Sequence, residues 1–132
     1  MLGTDGAIRP VHILIVDDNE LNQRVASSIC EVLGFTCENV SSGKQAIDAA
    51  ASERFDLVLM DICMPEMDGV EAALAIHALH PSLAKLPIIA VTANAEPKDC
   101  VRYVAAGMFA VVPKPISLTI LCAAIERAFD RV

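Results

Sequence analysis

Tryptophan is absent from the 132 residues, and only one tyrosine and four phenylalanines are present, so aromatics make up 4% of the chain. The core must therefore be aliphatic. Hydrophobic residues reach 55%, alanine is abundant, and the mean hydropathy is +0.51. Such apolar content in a chain of one-domain length implies heavy burial, as in a sheet covered by helices on both faces. Long apolar runs are missing too. Segments such as Asp56-Leu57-Val58-Leu59-Met60 and Leu86-Pro87-Ile88-Ile89-Ala90-Val91 are bounded by Asp, Lys or Thr. They stop far short of the roughly 20 residues a spanning helix needs. The opening MLGTDGAIRP contains no apolar stretch of the kind a secretory signal requires. No membrane association is expected.

Runs of Lys or Arg are also lacking, and the formal net charge is −7. A surface for nucleic-acid phosphates needs a basic patch, so no nucleic-acid partner is expected. Cys30, Cys37, Cys63, Cys100 and Cys122 are odd in number and contain no CxxC spacing. They read as reduced, mostly structural thiols in a cytoplasmic compartment. His12, His77 and His80 fit no metal or triad spacing and are expected at the surface.

What the chain does have is a regular alternation. After a loose leader over residues 1–10, short apolar runs at Val11–Val16, Phe35–Val40, Asp56–Met60, Pro87–Val91 and Met108–Val112 read as strands. Helical spacing fills the intervals. Glu20–Leu33 places Leu21, Val25, Ile29, Val32 and Leu33 on one stripe, with Gly34 as its stop. Ser42–Glu53 carries Ala46, Ile47 and Ala50 on one side. Gly69–Leu79 ends before Pro81, and Glu96–Ala106 ends at Gly107. Ser117 caps a last helix whose inner stripe reads Leu118, Leu121, Ile125 and Phe129. Five βα units in succession predict a parallel sheet with right-handed crossovers and helices on both faces. Residues 11–132 read as one domain, without repeat, linker or low-complexity tract, and no output domain is expected after the last helix.

Ligands of open parallel sheets sit outside the carboxyl ends of the strands, where the strand order reverses. At those ends stand Asp17-Asp18, Asp61, Thr92 and Lys114-Pro115. Asp17 and Asp18 alone would suit a helix cap, and Lys114 alone a solvated charge. Together they suggest a site. Close carboxylate pairs repel by about 4 kcal/mol at an effective dielectric near 20, so either a proton or a cation must relieve them. A hard divalent ion fits, and Mg²⁺ best, because it needs few carboxylates and keeps waters. A carboxylate beside such an ion can attack phosphorus, with Thr92 as hydrogen-bond donor and Lys114 as cationic clamp.

The stretches Ile13-Leu14-Ile15-Val16-Asp17-Asp18-Asn19-Glu20, Asp56–Gly69 (DLVLMDICMPEMDG), Pro87–Ala95 (PIIAVTANA) and Lys114-Pro115, in this order, resemble the receiver domains of two-component response regulators. The wording is similar to receivers attached to hybrid histidine kinases or their stand-alone relatives, and the match runs from Val11 to about Ala128. The resemblance implies a flavodoxin-like (βα)5 fold and a phosphoryl group accepted on Asp61 from a phosphohistidine. It implies Mg²⁺ on Asp18, Asp61 and the Cys63 carbonyl, with Asp17 acting mostly through water. Thr92 and Lys114 would contact the phosphoryl oxygens, and Lys114-Pro115 would be a cis peptide. The implied partners are a histidine kinase or histidine phosphotransfer protein, docking on the first helix near Leu21, Asn22 and Val25, and a downstream protein target. In chemistry such a domain catalyses only its own phosphorylation and slow dephosphorylation. One departure stands out: Val111 occupies the position, three residues before the Lys, where such receivers usually carry Tyr, Phe or His.

Three other functions make different demands on these residues. A magnesium-dependent phosphohydrolase would carry its Asp nucleophile in a DxDx(T/V) element on the first strand, where this chain has Asp17-Asp18-Asn19. A pseudo-receiver would not need the acidic set. A flavodoxin's phosphate loop would not be acidic.

Overall fold

The computed structural model describes residues 11–129. The leader expected over residues 1–10 lies outside the described residues, as do residues 130–132. Five strands form one parallel sheet: β1 (His12–Val16), β2 (Thr36–Val40), β3 (Leu57–Asp61), β4 (Ile88–Thr92) and β5 (Ala110–Pro113). Five helices alternate with them: α1 (Glu20–Val32), α2 (Gly43–Ser52), α3 (Gly69–Ala78), α4 (Pro97–Ala105) and α5 (Leu118–Phe129).

The strand order is β2-β1-β3-β4-β5. The chain therefore steps outward from β1 to the edge strand β2, then returns across β1 to build the other half. That reversal lies between β1 and β3. The inner strands β3 and β4 are buried at every residue, which explains their unbroken apolar sequences. Edge strand β2 instead exposes Thr36, Glu38 and Asn39, polar groups that discourage pairing with another chain.

Alternate residues along the strands feed two core layers. Leu14, Val16, Val58, Met60, Ile88 and Ala90 face one layer with Ala46, Ala50, Ala72, Ala73, Ile76 and Tyr103 from the helices. Ile13, Ile15, Leu57, Leu59, Ile89 and Val91 face the other with Ala26, Cys30, Leu121, Ala124 and Ile125. The helices begin on polar caps. Asn19, Ser42 and Asp68 each accept a backbone N–H of the following turn, and Asp68 forms a reciprocal capping box with Glu71. Ser117 caps α5 as expected, its hydroxyl accepting from the Ile120 N–H.

Two helix faces differ from the sequence expectation. In α1, Leu21, Val25 and Val32 are exposed, and Ala26 and Cys30 are buried with Ile29 and Leu33 beside them. In α5, Leu118 is exposed and the inner stripe runs through Leu121, Ala124, Ile125 and Ala128, with Phe129 at its edge. The cause is the same in both. Each helix carries more apolar residues than one stripe can hold, and the stripe that meets the sheet mixes small residues with large ones: Ala26 and Cys30 with Ile29 and Leu33 in α1, Ala124 and Ala128 with Leu121 and Ile125 in α5. A short 3-10 turn at Pro81–Leu83, which periodicity did not reveal, follows α3.

The histidines also depart in part from a surface role. His12 is half-buried, stacks on Phe55 with ring centroids 4.9 Å apart, and bonds Thr36 and Glu53 through its two ring nitrogens. His77 is half-buried and bonds the Leu86 carbonyl at 2.9 Å, while His80 is exposed.

Candidate functional site

Parallel register brings the polar residues together. Val16 pairs with Met60, so Asp17 and Asp61 come one residue later on adjacent strands. Asp61 pairs with Val91, so Thr92 follows one step beyond, and Thr92 pairs with Pro113, directly before Lys114. The Lys114 backbone N–H donates to the Thr92 carbonyl at 2.9 Å and carries the ladder to the edge of the site. The Lys114-Pro115 peptide is cis, as expected.

Asp17, Asp61 and Thr92 are buried, at 4%, 2% and 1% exposure, although each is polar. Asp18 is exposed. One oxygen from each of Asp17, Asp18 and Asp61 lies within 4.8 Å of the others. The Lys114 ammonium lies between the two buried acids, donating to Asp61 Oδ1 at 3.0 Å and standing 3.3 Å from Asp17 Oδ2. Asp17 Oδ1 accepts the Asn19 N–H at 2.9 Å. An acidic, oxygen-only cluster with one side open to solvent suits a hard divalent cation that retains waters. The residues present therefore fit Mg²⁺. Cys63 lies two residues beyond Asp61 on the loop leaving β3, with its side chain exposed. Val111 is half-buried against the Met60 and Tyr103 layer.

The electrostatics follow from burial. Burial pushes the Asp61 carboxyl up. The Lys114 hydrogen bond pulls it back, the Asp17 and Asp18 charges push it up again, and the net position is above the ordinary 3.8. Burial also pulls the Lys114 ammonium down, but its hydrogen bond to Asp61 and the charges of Asp61 and Asp17 outweigh this and hold it above its ordinary range. A carboxyl raised on folding makes the folded chain hold more protons than the unfolded one across the window above 3.8. This contribution to stability is complete below 3.8 and is lost as pH rises through the folded value. In metal-free buffer at pH 7, Asp61→Asn is therefore expected to raise Tm, by roughly 4 °C for each kcal/mol relieved. Lys114 keeps Asp17 as a partner at 3.3 Å, so it is not orphaned. Thermal melts should show the gain shrinking as pH falls toward 4, and a variant less stable than the native chain at neutral pH would contradict this account.

Two further residues support the site without a sequence signal of their own. Gln23, on α1, donates from Nε2 to the Asp17 carbonyl at 2.7 Å and the Val40 carbonyl at 3.3 Å, fixing the backbone of the acidic loop. Gly69, which the sequence suggests is only a turn and helix start, packs against the backbone of Asp61 and Ile62 and donates its N–H to the Ile62 carbonyl at 2.9 Å. A glutamine inside a helix and a glycine at a helix start carry no distinctive spacing. A groove of about 900 Å³ lies away from Asp17, Asp18 and Asp61, lined by Phe55, Leu79, Leu83 and Leu86 among others.

A doubly wound sheet with its acids at the strand-order reversal belongs to the flavodoxin-like class of α/β domains. The sequence profile described as the response regulator receiver domain matches residues 13–126, and the chain belongs to that family, whose members accept a phosphoryl group on an aspartate. It is 36% identical over 126 residues to the aerobic respiration control sensor protein ArcB of Escherichia coli strain K12, covering 96% of this chain and 16% of that protein. It is 39% identical over 113 residues to the signal transduction histidine-protein kinase BarA of the same organism, covering 86% and 12%. Among solved structures, the receiver domain of sensor histidine kinase PA1611 from Pseudomonas aeruginosa PAO1, with a magnesium ion coordinated in its active site cleft, is 34% identical. It superposes with a TM-score of 0.84 over 92% of this chain and 99% of that one. The chain thus spans only 12–16% of the length of ArcB and BarA. Among the described residues no helix is long and apolar enough to cross a membrane.

Proposed function

We propose that residues 11–132 form one receiver domain that takes a phosphoryl group on Asp61 in a magnesium-dependent reaction. The observation that carries this reading is the cluster of Asp17, Asp18 and Asp61 oxygens within 4.8 Å, with Lys114 hydrogen-bonded inside it. Asp18, Asp61 and the Cys63 carbonyl hold the ion, and Asp17 acts mostly through its water. Bound Mg²⁺ offsets the repulsion between these acids and the incoming phosphoryl oxygens. An Asp61 carboxylate oxygen forms the new bond to phosphorus as the P–N bond of a phosphohistidine breaks, and the imidazole nitrogen keeps the electron pair. Thr92 donates its hydroxyl to one phosphoryl oxygen, and Lys114 neutralises another. The product is an acyl phosphate that slowly hydrolyses.

The donor is a histidine kinase or a histidine phosphotransfer protein. The exposed Leu21 and Val25 of α1, with Asn22 between them, give it an apolar landing strip next to the Asp18 loop. A downstream protein reads the phosphorylated state. All described cysteines are free thiols, which suits a cytoplasmic setting.

Incubation with a small acyl-phosphate donor and Mg²⁺, followed by mass spectrometry, is expected to add one phosphoryl group. The addition should vanish on chelation and in Asp61→Asn. Modification that persists in Asp61→Asn would refute Asp61 as the acceptor, and rapid turnover of a phosphorylated metabolite would favour a hydrolase.

A further inference from the structure

Thr92 is wired to a helix through one intervening residue. Its Oγ1 accepts the Asn94 N–H at 3.0 Å. The Asn94 carbonyl in turn accepts the Tyr103 hydroxyl at 3.3 Å. Tyr103 stands on α4, is 1% exposed, and packs in the layer containing Met60, Ile88, Ala90 and Met108. The loop between β4 and α4 is thus held at both backbone groups of Asn94, by a threonine of the site on one side and a buried tyrosine on the other. At the start of the helix Glu96, the N-cap of α4, makes no side-chain capping bond, while its carbonyl accepts the Asp99 and Cys100 N–H groups. The Tyr103 bond is long for an O–H···O contact, whose usual length is about 2.7–2.8 Å, and is correspondingly weak.

We propose that Tyr103 is a positioning residue that, through Asn94, holds the Thr92 hydroxyl in its unphosphorylated arrangement and reports its displacement to α4. The inference rests on the phosphoacceptor reading of Asp61. A phosphoryl group on Asp61 presents three strong acceptor oxygens at the rim. When Thr92 turns its hydroxyl toward one of them, Oγ1 leaves the line of the Asn94 N–H. The freed Asn94 peptide reorients, and its carbonyl moves off the Tyr103 hydroxyl. Removing that hydroxyl loosens the resting arrangement and makes the phosphorylated one easier to reach.

The chain has one tyrosine and no tryptophan, so its ultraviolet emission reports on Tyr103 alone. The probe is beryllofluoride, a phosphoryl mimic, added with Mg²⁺ and followed in parallel by tyrosine emission and calorimetry. The native chain is expected to bind it with a change in emission. At calorimetric saturation, Thr92→Ala should show little emission change and Thr92→Ser should restore it. Tyr103→Phe should bind beryllofluoride about 2–10-fold more tightly, the range one neutral hydrogen bond spans. An emission change of equal size in Thr92→Ala would overturn the proposal, as would unaltered affinity in a folded Tyr103→Phe. If beryllofluoride binds and the native emission stays constant, the role given to Tyr103 fails and the acceptor reading stands. If it does not bind at all, both fail.

Discussion

Gly69→Ala is expected to destabilise the domain by about 3 kcal/mol, the upper end for an overpacked core, and to weaken Mg²⁺ binding roughly tenfold or more, as loss of a metal site's outer support does. A Cβ at this position would collide with the Asp61 carbonyl oxygen and stand 2.9 Å from Ile62 Cα and 3.0 Å from the Asp61 carbonyl carbon. All three are backbone atoms, so no rotamer change relieves the contact. Relief requires α3 to withdraw from the end of β3, breaking the 2.9 Å bond from Gly69 N–H to the Ile62 carbonyl and shifting the residue that carries the acidic oxygen. Gly34 supplies the control. It has φ +84, and a Cβ there would meet nothing within 4 Å. Gly34→Ala should thus cost only the roughly 1–2 kcal/mol of a left-handed backbone and leave Mg²⁺ affinity unchanged. Urea denaturation and calorimetric Mg²⁺ titration of both variants separate the two effects. Equal losses of stability with intact metal binding in both would show that Gly69 does not brace the site.

The contrast between these glycines marks the limit of what the sequence makes legible. Asp17, Asp61, Thr92 and Lys114 can be found without a structure because each interrupts or follows an apolar run, and parallel strands leave their carboxyl ends on one rim. Asp17 and Asp18 look equivalent as letters. Only the turn into α1 buries the first at 4% exposure and leaves the second in solvent. The helix faces were half legible. Leu21 and Leu118 look like core residues by hydrophobicity, yet the buried stripes run through Ala26 and Cys30 in α1 and through Leu121, Ala124, Ile125 and Ala128 in α5, because each helix offers more than one apolar stripe and small residues on the buried one carry little hydrophobic signal. Gly69, Gln23 and Tyr103 act through backbone atoms of residues at least six positions away, and no local pattern records such contacts.

Lys114→Met is expected to separate metal binding from phosphoryl transfer. The ammonium occupies the space between the buried acids, 3.0 Å from Asp61 and 3.3 Å from Asp17, and competes there with an incoming cation. Replacing it with an uncharged side chain of similar length leaves three carboxylates facing one another with no internal counter-charge. Mg²⁺ affinity near pH 8 should rise, with about tenfold corresponding to 1.4 kcal/mol of relieved competition. The gain should fade as pH falls, because Lys114 is one of the groups holding the Asp61 carboxyl down, and without it Asp61 takes up a proton more readily. Transfer should move the other way. The phosphoryl oxygens lose their cationic partner, and the loss of one preorganised donor of this kind costs about 10²–10³ in rate. Lys114→Arg keeps the charge but not the geometry and should fall between the two. Calorimetric Mg²⁺ titrations over a pH series, paired with rates of labelling by an acyl-phosphate donor, test both halves. If Lys114→Met bound Mg²⁺ more weakly than the native chain, the lysine would be an organiser of the metal site rather than a competitor for it.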